Sequence, residues 1–188
     1  MKKQYFWLFA LILFALPVAA AGAGQDRSAA IDLCFTPGGT CTDRIINEIN
    51  AARSEILVQA YSFTSAGIGK ALINAHKRGV KVEAILDRSQ RTAKYSWATF
   101  LANMRIPTYI DAQHAIAHNK VIIIDAFTTI TGSFNFTKAA QEKNAENLLI
   151  IRSREIAKAY RENWLEHRKH SESTKRDTRG GSAFAVLR

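Results

Sequence analysis

The stretch His118-Asn119-Lys120-Val121-Ile122-Ile123-Ile124-Asp125, followed after six residues by Gly132-Ser133-Phe134-Asn135, decides how this chain is read. Residues 121–124 are β-branched throughout and of strand length, and residues 128–131 form a second such run. A turn near Asp125-Ala126 joins the two. If Lys120 opens the first strand, the period of two sets His118 and Lys120 on one face, where imidazole and ammonium can converge on one anion. The second strand returns and delivers Gly132, Ser133 and Asn135 at a strand-to-helix junction. Residues 134–142 are expected to be helical, and a helix N-terminus there would add backbone N–H donors. A histidine, a lysine and neutral donors around one point make a phosphate site with a nucleophile or an acid/base in it.

Outward from this hairpin, strand-like and helix-like segments alternate. Strands are predicted at 30–35, 56–61, 80–86, 107–110 and 148–151. Helices are predicted from 43, with Thr42-Asp43 as the cap, and from 66, capped by Thr64-Ser65 and stopped by Lys77-Arg78-Gly79. Further helices are expected at 95–104 and 155–167. The pattern predicts an α/β fold, a layered α-β-α sandwich with a mixed, largely parallel sheet. No internal repeat is apparent.

The 188 residues suit one domain, and an excess of ten positive charges favours an anionic partner, whether nucleic acid, phosphate ester or membrane surface. Lys2 and Lys3, an apolar run from Tyr5 to Leu16, Pro17 and an alanine cluster read as a signal peptide over 1–22. An uncleaved membrane anchor is the rival reading. Losing Lys2 and Lys3 from an excess of ten leaves eight, so the basic character survives cleavage. Export places the chain in the periplasm or outside the cell, where Cys34 and Cys41 can close a small disulfide loop. The catalytic domain is expected over 23–170, with a basic, mobile tail over 171–188. Its Ala183-Phe-Ala-Val-Leu187 segment is the sole weak candidate for membrane contact.

The hairpin motif resembles the signature of the phospholipase D superfamily, H-x-K-x(4)-D-x(6)-G-S-x-N. His118, Lys120, Asp125, Gly132, Ser133 and Asn135 match it without a gap. Tyr61-Ser-Phe-Thr64, Gly132-Ser-Phe-Asn-Phe-Thr-Lys138 and Asn144-Ala-Glu146-Asn147 look like the small secreted endonucleases of that superfamily, over roughly 31–164. The resemblance implies a phosphohistidine intermediate, with His118 as nucleophile or acid/base. It implies that Lys120 and Asn135 bind the non-bridging oxygens and that Ser133 hydrogen-bonds near them. Glu146 would orient His118. Asp125 belongs to the motif, but a structural hydrogen bond or salt bridge competes with acid/base work as its role. The chemistry needs two histidines, and the other H-x-K, His167-Arg168-Lys169, lacks the rest of the motif. A homodimer bringing two His118 residues to a two-fold axis supplies the second.

Asp111, His114 and His118 raise the question of zinc, but H-x-x-x-H here lacks the glutamate of H-E-x-x-H. No metal or cofactor is expected. His167 and His170 read as solvated members of a basic stretch, Trp97 and Trp164 as packing. Arg88, Arg91 and Lys94 sit in a polar loop that either lines the cleft or is plainly solvated. The expected function is an exported, metal-independent phosphodiesterase, a DNA endonuclease of little sequence preference. A phospholipase D or phosphatidyl transferase shares the chemistry with phospholipid as substrate. A non-catalytic nucleic-acid-binding protein is the remaining class.

Overall fold

The computed structural model describes residues 29–174. The order is β1 (Ala30–Thr36), α1 (Cys41–Ala51), β2 (Glu55–Ala60), α2 (Ala66–Lys77), β3 (Lys81–Asp87) and a 3-10 turn (Arg88–Arg91). There follow α3 (Ala98–Asn103), β4 (Thr108–Asp111), β5 (Lys120–Ile124), β6 (Thr128–Gly132), α4 (Lys138–Glu142), β7 (Glu146–Arg152), α5 (Arg154–His170) and β8 (Glu172–Ser173). All eight strands join one sheet in the order β1-β7-β6-β5-β2-β3-β4-β8.

The sheet is mixed, as expected, but it is not largely parallel. β2, β3 and β4 run parallel, and the other five pairings are antiparallel. Connection length explains the split. The β2–β3 and β3–β4 crossovers carry helices, whereas β5 and β6 are joined by the three residues 125–127, a tight turn that can only reverse the chain. That turn has both Asp125 (φ 52°) and Ala126 (φ 50°) in the left-handed region, as the twist of a tight hairpin requires.

Alternate residues of the central strands serve two cores. Ile122, Ile124, Ile130 and Leu148 face α1 and α2, against Ile45, Ile49, Ile68 and Leu72. Leu57, Ile85, Val121 and Ile123 face α5, against Ala157 and Trp164. Covered on both sides, these strands need continuous apolar runs rather than alternation. Trp164 also donates its indole N–H to the Val58 carbonyl at 2.9 Å. Both Trp164 and Trp97 are packing residues, as the sequence predicts.

Several local expectations change. Cys34 and Cys41 are bridged, and α1 begins at Cys41, ahead of the expected Thr42-Asp43 cap. The Thr42 N–H donates instead to Gln141 Oε1 at 2.8 Å. α3 spans six residues rather than the ten expected. The domain continues past 170, because Glu172 and Ser173 pair with β4 as β8. The expected signal peptide, 1–22, and residues 175–188 of the expected tail lie outside the described residues. Among those described, no helix is long and apolar enough to cross a membrane.

Candidate active site

Topology gathers the motif at one end of the sheet. β2, β3 and β4 end there, and β5, antiparallel to β2, begins there, with Lys120 opposite Ala60. β6 finishes and β7 starts at the same edge, with Gly132 opposite Leu148. Ligand sites in α/β sheets commonly lie beyond the carboxyl ends of parallel strands.

Lys120 opens β5 and is 7% exposed, while His118, in the loop just before it, is exposed. The Lys120 ammonium donates to the His118 carbonyl at 2.9 Å. Both lie against Tyr61, whose ring centroid is 4.6 Å from the imidazole and 5.1 Å from Lys120 Nζ. Burial lowers the Lys120 pKa from the ordinary lysine value, and the negative charge of Glu146 opposes that shift. A partly desolvated ammonium interacts more strongly with an incoming anion than a surface lysine does.

On the neighbouring strands, Ser133 Oγ donates to Glu146 Oε2 at 2.6 Å, and Asn144 Nδ2 donates to Glu146 Oε1 at 2.9 Å. The Asn147 N–H donates to Ser133 Oγ at 3.0 Å. Glycine is required at position 132. Its φ is +142°, and an added Cβ would lie 2.3 Å from the Asn147 carbonyl oxygen. That same oxygen accepts from the N–H groups of Ser133 (3.0 Å) and Phe134 (3.3 Å), so the close approach holds the turn together. The Asn135 Oδ1 atom is buried without a hydrogen-bond partner.

Two expectations are corrected here. No helix starts at Ser133. Residues 133–137 are not helical, and Phe136 is bonded to the segment after β2, through Phe136 N–H to Ser62 O (3.2 Å) and Thr64 and Ser65 N–H to Phe136 O (3.0 and 2.8 Å). The helix begins at Lys138, where the Thr137 hydroxyl accepts from the Ala140 N–H. Phe63 and Phe136, both buried, are the reason. Burying these two rings against each other stabilises an extended pairing over a helical turn. Nor is Glu146 on His118. Among the described residues no hydrogen bond joins them, and both Glu146 oxygens are engaged by Ser133 and Asn144.

The structure also parts Asp125 from the rest of the motif. It follows the far end of β5, about 16 Å from Lys120 at the usual strand rise. Its carboxylate accepts from Arg53 N–H (2.9 Å), Ser54 N–H (2.8 Å), Ser54 Oγ (2.7 Å) and Glu55 N–H (3.0 Å). Asp125 therefore ties the hairpin to the start of β2. This geometry favours the structural role over acid/base work.

Asp87 was missed. It ends β3, is 3% exposed, and its Oδ2 accepts the Ala117 N–H at 2.8 Å, directly beside His118. Burial would raise its pKa, but N–H donors from Ser89 and Ala117 and the charge of Arg88 leave it lowered. An isolated aspartate at a strand end carries no pattern that could have flagged this. Arg91 is paired with Glu172 at 2.6 Å, and Lys94 lies over the Tyr95 ring. Lys94, Tyr95, Trp97 and Phe100, with Lys70 and Thr64, line a cavity of about 660 Å³ that opens beside the segment after β2.

Residues 45–168 match the family model described as "Cardiolipin synthase, PLD-like domain". The chain belongs to the phospholipase D superfamily. It is a phosphodiesterase of that superfamily and hence a hydrolase. A relative from Rickettsia conorii named phospholipase D is 46% identical over 155 residues, covering 82% of this chain and 78% of the relative. The mitochondrial cardiolipin hydrolase of Canis lupus familiaris is 31% identical over 69% of this chain and 51% of its own length. Among solved structures, Nuc, a phospholipase D family member from Salmonella typhimurium, superposes with a TM-score of 0.75. It is 37% identical, and the match covers 78% of this chain and 99% of Nuc.

Proposed function

We propose that this superfamily member is an exported DNA endonuclease of little sequence preference, working as a homodimer with no metal in the chemical step. The observation that carries the reading is the open site. His118 stands exposed at the sheet edge with buried Lys120 behind it, so a bulky polyanion can reach it. The chain's positive excess draws such a substrate. His118 attacks phosphorus, forming a P–N bond as the P–O bond to the leaving strand breaks. The partner's His118 gives its proton to that oxygen, then takes one from water. The resulting hydroxide displaces His118, and the P–N bond breaks. Lys120, Asn135 and Ser133 bind the non-bridging oxygens, where charge builds in the transition state. The bridged Cys34–Cys41 pair supports an oxidising, exported setting.

Two features support the dimer. One chain holds one motif, and edge strand β1 exposes Ile31 (51%), Leu33 (54%) and Phe35 (62%) on one face. This strip reaches the site, since Thr36 pairs with Glu146 and Phe35 with Asn147. A second copy covering it would bring two sites together. A phospholipid substrate is the second reading, favoured by the cavity whose walls include Trp97 and Phe100 beside two lysines.

The test incubates the protein with plasmid DNA, RNA and phosphatidylcholine or cardiolipin vesicles, each with EDTA, beside His118→Ala. DNA cleavage that survives EDTA and disappears in the variant is the expected result. Lipid hydrolysis alone selects the second reading, and binding without turnover overturns both. Leu33→Asp should sediment as a monomer and lose turnover. A fully active monomer overturns the dimer.

A further inference from the structure

The end of β4, the loop after it and the last turn of α5 meet at the same end of the sheet as the motif, three strands along from β5. Asp111 closes β4, and its side chain is wholly buried. His167 and His170 are one helical turn apart in α5 and so share a face. His114 reaches the same carboxylate from the loop. Asp111 Oδ2 lies 2.7 Å from His167 Nδ1, 3.2 Å from His114 Nδ1 and 3.3 Å from His170 Nε2. The three imidazoles are mutually close, with ring centroids 4.9, 5.3 and 5.4 Å apart.

Three imidazoles and one buried carboxylate converge here, a donor set that suits a metal as well as it suits hydrogen bonding. A carboxylate oxygen has two lone-pair directions, and Oδ2 is faced by three ring nitrogens. Oδ1 accepts the Gln113 N–H at 3.1 Å and lies 3.3 Å from His114 Nδ1, which is shared between the two oxygens. A cation among the four groups changes the balance. Each nitrogen turns a lone pair inward, and its proton sits on the other ring nitrogen. The four donor atoms, one oxygen and three nitrogens, lie within 4.8 Å of one another. Bonds of about 2.0–2.1 Å to a tetrahedral ion set donors about 3.3 Å apart. The aspartate–histidine edges are at or below that span. The wider edges must contract by up to about 1.5 Å, and His114, on a loop and 44% exposed, is free to supply the movement.

We propose that Asp111, His114, His167 and His170 form a structural site for a divalent transition-metal ion of the zinc type. Three imidazoles and one carboxylate suit zinc, and they are poor ligands for magnesium or calcium, which take oxygen. The ion has no part in the phosphodiester chemistry. β4 stands three strands from β5, about 14 Å at the usual spacing, and shares no residue with the motif. Its effect is to clamp the C-terminal turn of α5 onto the sheet, where Arg168 already lies over the Tyr109 ring at 3.3 Å. It also anchors the first part of the segment running from Asp111 to His118. Asp87 holds the other end of that segment through the Ala117 N–H.

The test uses the untagged protein, stripped with chelator, and measures zinc content after gel filtration, zinc titration by calorimetry, and thermal unfolding. One zinc per chain, micromolar or tighter, and a raised melting temperature are expected, with no response to magnesium. His114→Ala, on the exposed loop, should weaken binding about 10- to 100-fold and keep the native circular dichroism. His167→Ala with His170→Ala should abolish binding. Zinc content or a zinc-induced thermal shift no greater in the wild type than in the double variant overturns the site.

Discussion

Replacing Asp125 separates a structural from a catalytic reading of the motif. Asp125→Ala removes the acceptor for four donors, three at the surface and one, the Glu55 N–H, part-buried. Water replaces the surface bonds in part, so each is worth about 0.5–1 kcal/mol, and the part-buried one about 1.5 kcal/mol. Alanine at φ 52° adds about 1 kcal/mol of left-handed strain. The loss should be about 4–5.5 kcal/mol. Asp125→Asn keeps one acceptor oxygen and tolerates the turn, and should lose about 1–2 kcal/mol. Urea unfolding measures both. Turnover of folded Asp125→Asn, taken well below its melting temperature, should stay within about threefold of wild type. The pH dependence has a definite sign. Burial pushes the Asp125 carboxyl up, but the Glu55, Ser54 and Arg53 donors outweigh it and its pKa is lowered. Its contribution is whole above the ordinary carboxylate value of about 4 and is lost as the pH falls through the lowered folded value. The stability gap between wild type and Asp125→Asn should therefore narrow in acid. A 100-fold fall in turnover at an unchanged unfolding midpoint refutes the structural role.

Lys120→Met should cut turnover by about 100- to 1,000-fold. Its unfolding midpoint should hold or rise, because a buried ammonium is exchanged for an apolar chain of similar length. Asp87→Asn should lower kcat about 10- to 100-fold by loosening the Ala117 N–H contact, with KM little changed. Steady-state kinetics beside circular dichroism distinguishes that from unfolding. Reducing the Cys34–Cys41 bridge, whose sequence separation is 7, should cost about 2.5 kcal/mol on chain-entropy grounds. Urea melts with and without reductant measure it.

Much was legible because it was local. The apolar run 121–124 and the spacing of His118, Lys120, Gly132, Ser133 and Asn135 specify a buried hairpin with its chemistry at one end. The cap at Ser65 follows from residue type alone, and its side chain accepts from the Ile68 N–H in the first helical turn. Errors arose where a distant partner outbid local preference. Residues 134–137 have helical character nearby, yet Phe136 finds Phe63 across the sheet edge and the segment is not helical. Asp125 sits inside the motif in sequence, but five strand residues carry it to the opposite end of the sheet.

The sequence by itself therefore determined the layered fold and the hairpin that carries the motif, since those depend on periodicity and short spacings. Tertiary structure decided which groups stand beside them. Asp87 meets Ala117 across a span of 30 residues. Asp111 meets His167 across 56 residues, bringing two histidines of a basic helix onto a buried carboxylate. Such contacts form where the sheet order returns separate strands to one edge, and no local period encodes that order.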